Sequence, residues 1–227
     1  QQRLSIGDLD GAHLAADIDF APLRFAGALA VTDLQRDGTR LQDSAITILC
    51  DERTLTVPQA RVDLAGVRLL GEGLVLPSPF GKAPVALHDA AGRVELQIAD
   101  LTPYRQLLPD EVAQLLPLQG DVRGWLDHGL LRLEECRLTA SGVALQIASG
   151  VLPLAAAAPL RQRELRLQFA LDLAPLRVLR VGGQDLLTSG RVHGTLTGSL
   201  AAPRAQALVE LGATTFAGQA ADRLIAA

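Results

Sequence analysis

The sequence contains an internal repeat that limits what this chain can fold into. Residues 54–77 align with residues 130–153 without a gap, at an offset of 76 residues. The identical pairs are Leu55/Leu131, Arg61/Arg137, Gly66/Gly142, Val67/Val143, Leu69/Leu145, Val75/Val151, Leu76/Leu152 and Pro77/Pro153. Shorter motifs also recur: Asp-x-x-Pro-x-Arg at 19–24, 100–105 and 172–177, and Gly-x-Val-x-Gly-x-Leu at 120–126 and 190–196. Repeats of this kind favour an elongated stack of units over independent globular domains.

Apolar and polar residues alternate along much of the chain. Around residues 165–173 every second residue is Leu or Phe, and residues 94–98 and 143–147 show the same alternation. A period of two over this length predicts β-strands with one face turned away from water. Antiparallel pairing is favoured, because buried parallel strands read as continuous apolar runs. The sequence therefore predicts an all-β fold that is elongated, repeat-built and based on a mainly antiparallel sheet.

The alternation skips one residue at matching places in the two copies of the repeat, near Pro58/Gln59 and near Glu134/Glu135. One extra residue reverses the direction of the side chains, so both places are predicted to hold a β-bulge or a sharp bend. Gly120, Gly124, Gly190 and Gly194 are predicted to lie on strands where backbones bend or approach closely.

Helical signals are few. Leu spacing after Pro109 and the acidic pair that follows it predict one short amphipathic helix at about 109–116. The stretch after Pro175 is interpreted as a shorter helix or only a turn, so one or two short helices are expected. We interpret residues 1–227 as one elongated β-repeat segment of a longer protein, with approximate repeats at 19–99, 100–171 and 172–227.

The amino-acid composition limits the kinds of function that this chain can have. Hydrophobic residues make up 48% of the chain but aromatic residues only 3%, so aliphatic side chains must form either a thin core or an apolar surface. The net charge of −4, without a cluster of basic residues, argues against a nucleic-acid partner. Cys50 and Cys136 lack metal-site spacing and are predicted to be small buried residues, with a disulfide left open.

Catalytic chemistry is not indicated. The four histidines lie far apart in sequence without partners at metal-ligand spacing, Asp127/His128 is interpreted as a turn, and no serine or cysteine occupies a nucleophile elbow. Gly71-Glu72-Gly73 lacks the third glycine of a dinucleotide-binding loop and is interpreted as a strand break. The four histidines discussed above are His13, His88, His128 and His193. We expect no enzyme, no metal site and no cofactor.

The stretch from Asp172 resembles the repeats of the TamB and AsmA-like family of translocation and assembly module proteins. In that family an Asp-Leu-x-Pro-Leu segment leads to Gly-x-Val-x-Gly-x-Leu-x-Gly, then a proline and an alternating strand. The matching residues are Asp172, Leu173, Pro175, Leu176, Gly190, Val192, Gly194, Leu196, Gly198 and Pro203. The copy at 100–126 keeps much of this motif but has Asp127 and His128 where the third glycine is expected.

The resemblance implies a sheet folded lengthwise into a U-shaped groove, a β-taco, that is apolar inside and polar outside. It implies a non-enzymatic, periplasmic lipid conduit. The conduit would be anchored in the inner membrane through other parts of the parent protein, and it would shield the acyl chains of phospholipids on their way to the outer membrane. An outer-membrane barrel is a further implied partner.

The apolar positions of the clearest strands are the expected lining of this groove. They are Leu55, Val57, Val62, Leu64, Val94, Leu96, Ile98, Leu131, Leu133, Leu138, Val143, Leu145, Ile147, Leu165, Leu167, Phe169 and Leu171. Alternatives stay open at this point. The same faces could close on each other as a sandwich core. The chain could instead be a periplasmic scaffold or chaperone that offers strand edges to outer-membrane β proteins, or a purely structural stalk.

Overall fold

The computed structural model describes residues 2–9, 12–20, 23–36, 39–79, 89–108, 113–140, 142–154, 163–181, 184–212, 214–216, 219–221 and 224–226. These residues form sixteen strands and a short 3₁₀ helix, Thr102–Leu107, and Ala113 is α-helical. The strands are β1 (Gln2–Leu9), β2 (Ala12–Phe20), β3 (Leu23–Arg36), β4 (Thr39–Cys50), β5 (Thr54–Leu64), β6 (Val67–Pro77), β7 (Ala91–Ile98), β8 (Leu118–Asp127), β9 (Leu130–Ala140), β10 (Val143–Pro153), β11 (Glu164–Val181), β12 (Gln184–Ser199), β13 (Ala202–Leu211), β14 (Thr214–Phe216), β15 (Gln219–Ala221) and β16 (Leu224–Ala226).

All strands belong to one antiparallel sheet in which sequence neighbours are also spatial neighbours. The order runs from β1 to β13 without a crossover and continues to β16, while β14 pairs with β12 and β15. Close backbone contacts among the described strands are essentially confined to these hydrogen-bonded neighbours. The sheet is elongated, curled and not closed, so the expected all-β fold class is confirmed.

The two copies of the sequence repeat form hairpins with matching bounds. The strands β5 and β6 begin and end 76 positions before β9 and β10. Each hairpin closes through a turn in which glycine has positive φ, 76° at Gly66 and 79° at Gly142. Glycine adopts this backbone conformation without a steric penalty, which explains why both copies place it there.

Both expected bulges are confirmed by the hydrogen-bond register. Ala60 and Thr56 of β5 face Ile46 and Leu49 of β4, which leaves one extra residue on β5 between the two pairs. On β9, Glu134 is the extra residue, because Glu135 and Leu133 pair with consecutive residues of β8. An extra residue bends the strand and increases its local twist.

Two local expectations differ from the structure. The expected helix at 109–116 ends early, since Ala113 is α-helical but Gln114 and Leu115 form a turn, and residues 109–112 lie outside the described residues. Upstream of it the structure has a 3₁₀ turn, Thr102–Leu107. Asp100 initiates this turn by accepting hydrogen bonds from the backbone N–H and the hydroxyl of Thr102. The short helix or turn expected after Pro175 is wrong, since β11 continues to Val181 and absorbs the motif through a register shift between Leu173 and Arg177.

The chain buries little of itself. Its accessible surface is 14475 Å² for a mass of 24.0 kDa, whereas a compact globular protein of that mass exposes about 9,900 Å². An open sheet of one layer has this property, because most of its side chains have neighbours on one side only. Cys50 and Cys136 are among the few fully buried residues and carry free thiols, which confirms their interpretation as small buried residues.

Candidate functional site

The register divides the side chains of the sheet between two faces. Directly paired residues of antiparallel strands project to the same face, and successive residues along a strand project to opposite faces. Leu96 of β7 pairs with Leu69 of β6 and Val122 of β8, and we call the face that carries them the inner face. The opposite face, which carries Glu95 and Arg123, is the outer face.

The structure brings all seventeen expected lining residues onto the inner face. The pairs Leu145–Leu138 and Leu145–Leu171, for example, place three of them in one ladder row across β9, β10 and β11. Among the described residues of β5 to β13, with β11 taken to Leu173 and β12 from Gly190, every ladder position on the inner face is apolar, glycine or proline. Within these bounds the inner face is a continuous apolar surface across nine strands.

The deepest burial in this single-layered sheet is on the inner face. Leu165 is 3% exposed and Leu133 7%, whereas Leu49 and Trp125 on the outer face are 45% and 47% exposed. Burial on the inner face is uneven, since Leu69 there is 43% exposed. Of the seventeen lining residues, Val57, Ile98, Leu133 and Leu165 are buried and the others are half-buried, so the groove keeps accessible apolar surface.

A row of alternating small and large residues crosses the middle of the inner face. It consists of Gly71, Val94, Gly124, Leu133, Gly150 and Leu167, each paired with the next. We call it the crease row, because it runs along the bulges of β6, β9 and β10. Glycine and bulges together allow the strands to bend at this line. The strand break expected at Gly71–Gly73 is wrong, since both glycines lie within β6.

The four glycines expected at close backbone approaches are confirmed in that role. A β-carbon on any of them would collide with a main-chain carbonyl oxygen of the neighbouring strand. The residues that contribute those oxygens are Arg137 for Gly120, Arg132 for Gly124, Glu210 for Gly190 and Gln206 for Gly194. Each glycine is therefore needed for the spacing of its strand pair, and sequence signals in the Gly-x-Val-x-Gly motif were sufficient to find it.

The outer face is polar and carries ion pairs between strands. Asp63 accepts hydrogen bonds from Arg68 and Arg61, which lower its pKa from 3.8 to about 2. On the same face, Arg191 contacts Asp172 at 2.7 Å. The arginines of these pairs are exposed, so each pair contributes modestly to stability and the pairs together keep the outer face polar.

A metal-binding cluster is not assembled in the part of the chain that the structure describes. No group of three or more His, Cys, Asp or Glu side chains there is placed to hold a metal ion. Asp127 and His128 lie at a hairpin turn in which His128 and Gly129 both have positive φ, 46° and 84°, as a type I′ turn requires.

Within the described residues no helix has the length and apolar character needed to cross a bilayer.

Comparison with known proteins found no relative of this chain. No protein-family model, no curated protein and no solved structure matches this chain.

Proposed function

We propose that this chain is a segment of a non-enzymatic lipid conduit, in which the inner face shields the acyl chains of phospholipids between the inner and outer membranes. The proposed location is the periplasm, with the parent protein anchored in the inner membrane. The observation that carries the proposal is the apolar inner face, which continues across β5 to β13, with β11 taken to Leu173 and β12 from Gly190, without a charged side chain at any described ladder position.

Energetics support an apolar groove for this task. Exposing an acyl chain to water costs about 0.8 kcal/mol per methylene, so a chain of about 16 carbons faces a barrier on the order of 10 kcal/mol. Half-buried Leu, Val and Ile side chains can cover such a chain while it moves. A charged side chain in the groove would keep its own water and interrupt the path.

A photo-crosslinking experiment tests the proposal at adjacent residues that differ only in face. A benzophenone amino acid is placed at Leu145 or Leu167 on the inner face, or at Gln146 or Gln168 on the outer face. The chain is incubated with vesicles of phosphatidylethanolamine and phosphatidylglycerol, irradiated, and analysed for phospholipid adducts by mass spectrometry. Inner sites should label and outer sites should not. Equal labelling of both faces, or no adduct at any site, contradicts the conduit.

A second candidate function is a scaffold that binds extended segments of outer-membrane β proteins at a strand edge. The observation that favours it is that the sheet is not closed, since an open sheet has edges at which further strands can pair. Such an edge can add a strand from another protein. The same crosslinking experiment, repeated with an unfolded outer-membrane barrel in place of vesicles, would then yield protein adducts at residues of β1 and none at Leu145.

A further inference from the structure

The outer face has a depression above the bulge of β9. Its volume is about 510 Å³, within the range of small-molecule sites, and it extends from β7 to β11. Its side-chain walls include Arg93, Arg123 and Arg137. The bulge interrupts the alternation of β9, so that Glu134 and Glu135 both project into this depression instead of onto opposite faces.

Trp125, the only tryptophan of the chain, borders this depression through its contact with Glu134, which is one of the lining residues. Its indole N–H donates to the Glu134 carboxylate at 2.8 Å, and Arg93 contacts the same carboxylate at 3.4 Å. The indole is thereby held at one edge while the side chain remains 47% exposed. Tryptophan is usually well buried, so a fixed and exposed indole among polar side chains is a distinctive surface.

Three arginines and two glutamates line the depression, and each arginine is already paired with a carboxylate. Arg123 contacts Glu95 at 3.2 Å and Glu135 at 3.4 Å, and Arg137 contacts Glu135 at 2.8 Å. An anionic ligand would have to face the glutamates as well as the arginines, and an apolar ligand would remove all of these groups from water. A neutral ligand that both donates and accepts hydrogen bonds avoids both costs.

We propose that this depression binds a linear oligosaccharide of uncharged pyranose units, with one sugar ring stacked on Trp125. The C–H groups of a pyranose ring suit the negative face of an aromatic ring. A sugar hydroxyl is one donor and two acceptor sites, and it needs acceptors such as Glu135 and donors such as Arg123 close together. Gln146 and Gln168, at the far wall, supply both kinds of group. The site lies on the outer face, so it does not rest on the proposed lipid function.

Intrinsic fluorescence tests this proposal directly, because all tryptophan emission of the chain comes from Trp125. The chain is titrated with triacetylchitotriose and, separately, with cellotriose. Either sugar should change the emission in a saturable way, and saturation by triacetylchitotriose alone would identify an N-acetylated glycan. The absence of a saturable change with both sugars overturns the proposal.

Matched variants separate this site from a general effect of surface charge. The Glu135→Gln substitution should raise the midpoint of the titration about tenfold, equivalent to about 1.4 kcal/mol, through loss of charge-assisted hydrogen bonds. Asp172→Asn breaks a comparable outer-face ion pair away from the depression and should leave the midpoint unchanged. In isothermal titration calorimetry, the Trp125→Ala variant should show no saturable heat of sugar binding. Its circular dichroism spectrum should match that of the parent, which shows that the fold is retained. Equal effects of Glu135→Gln and Asp172→Asn, or full binding by Trp125→Ala, refute the site.

Discussion

Replacing Gly124 tests whether close backbone approach sets the spacing of β8 and β9. A β-carbon at this position would collide with the carbonyl oxygen of Arg132 and lie 3.2 Å from the Cδ1 atom of Leu131. The oxygen belongs to the main chain at a bulge and cannot rotate away, so the strands themselves would have to separate. Overpacking of this kind costs about 1–3 kcal/mol, although alanine in a strand is otherwise preferred to glycine.

For a chain of this size each kcal/mol shifts the melting temperature by about 2–4 °C, so Gly124→Val should melt about 2–12 °C below the parent. Circular dichroism and urea unfolding would measure the change. Because the collision involves the β-carbon itself, Gly124→Ala should show most of the effect. Ala45→Val, on an exposed outer-face position of β4, is the control and should stay within about 0.5 kcal/mol of the parent. If Gly124→Ala melts like the parent, the close-approach explanation is refuted.

Three further predictions address the groove, the outer face and the thiols. Leu145→Arg should strongly reduce phospholipid adducts at a crosslinker on Leu167 with little loss of stability, whereas Gln146→Arg should leave both unchanged; equal effects would count against an inner path. The pKa of Asp63 is lowered from 3.8 to about 2, so its contribution to stability is present above pH 4 and is lost as the pH falls towards 2. In the Asp63→Asn variant the urea midpoint should depend less on pH in this range than it does in the parent. A pH dependence identical to that of the parent would contradict the prediction. Burial raises the pKa of the Cys136 thiol, so this thiol should react with Ellman's reagent at pH 8 only after unfolding, and fast labelling of the native chain would refute its burial.

Much of the fold was accessible from local patterns. Period-two alternation predicts strands because the pleated backbone sends successive side chains to opposite faces, whatever the strand pairs with. The skipped residue near Pro58 and near Glu134 predicted bulges for the same local reason. The inner-face residues could also be chosen from sequence, because one face of each strand is apolar and a sheet aligns those faces to remove them from water.

Other features depended on tertiary pairing. The motif at 100–105 forms a 3₁₀ turn, whereas its copy at 172–177 lies within β11, where β12 provides a hydrogen-bonding partner on both sides of the register shift. The same six-residue pattern is compatible with either conformation, and strand propensity depends strongly on such surroundings. The sequence alone could not choose between them.

The sequence by itself determined the all-β class, the repeated hairpins and the separation of an apolar from a polar face, since each follows from the geometry of a single strand or turn. Only the tertiary structure decided the crease row and the outer-face depression. Both require the register between several strands: Arg93 and Glu134, for example, are 41 residues apart in sequence and meet on the outer face. Register is a relation between strands, set by hairpin turns and bulges together, and no local pattern carries it.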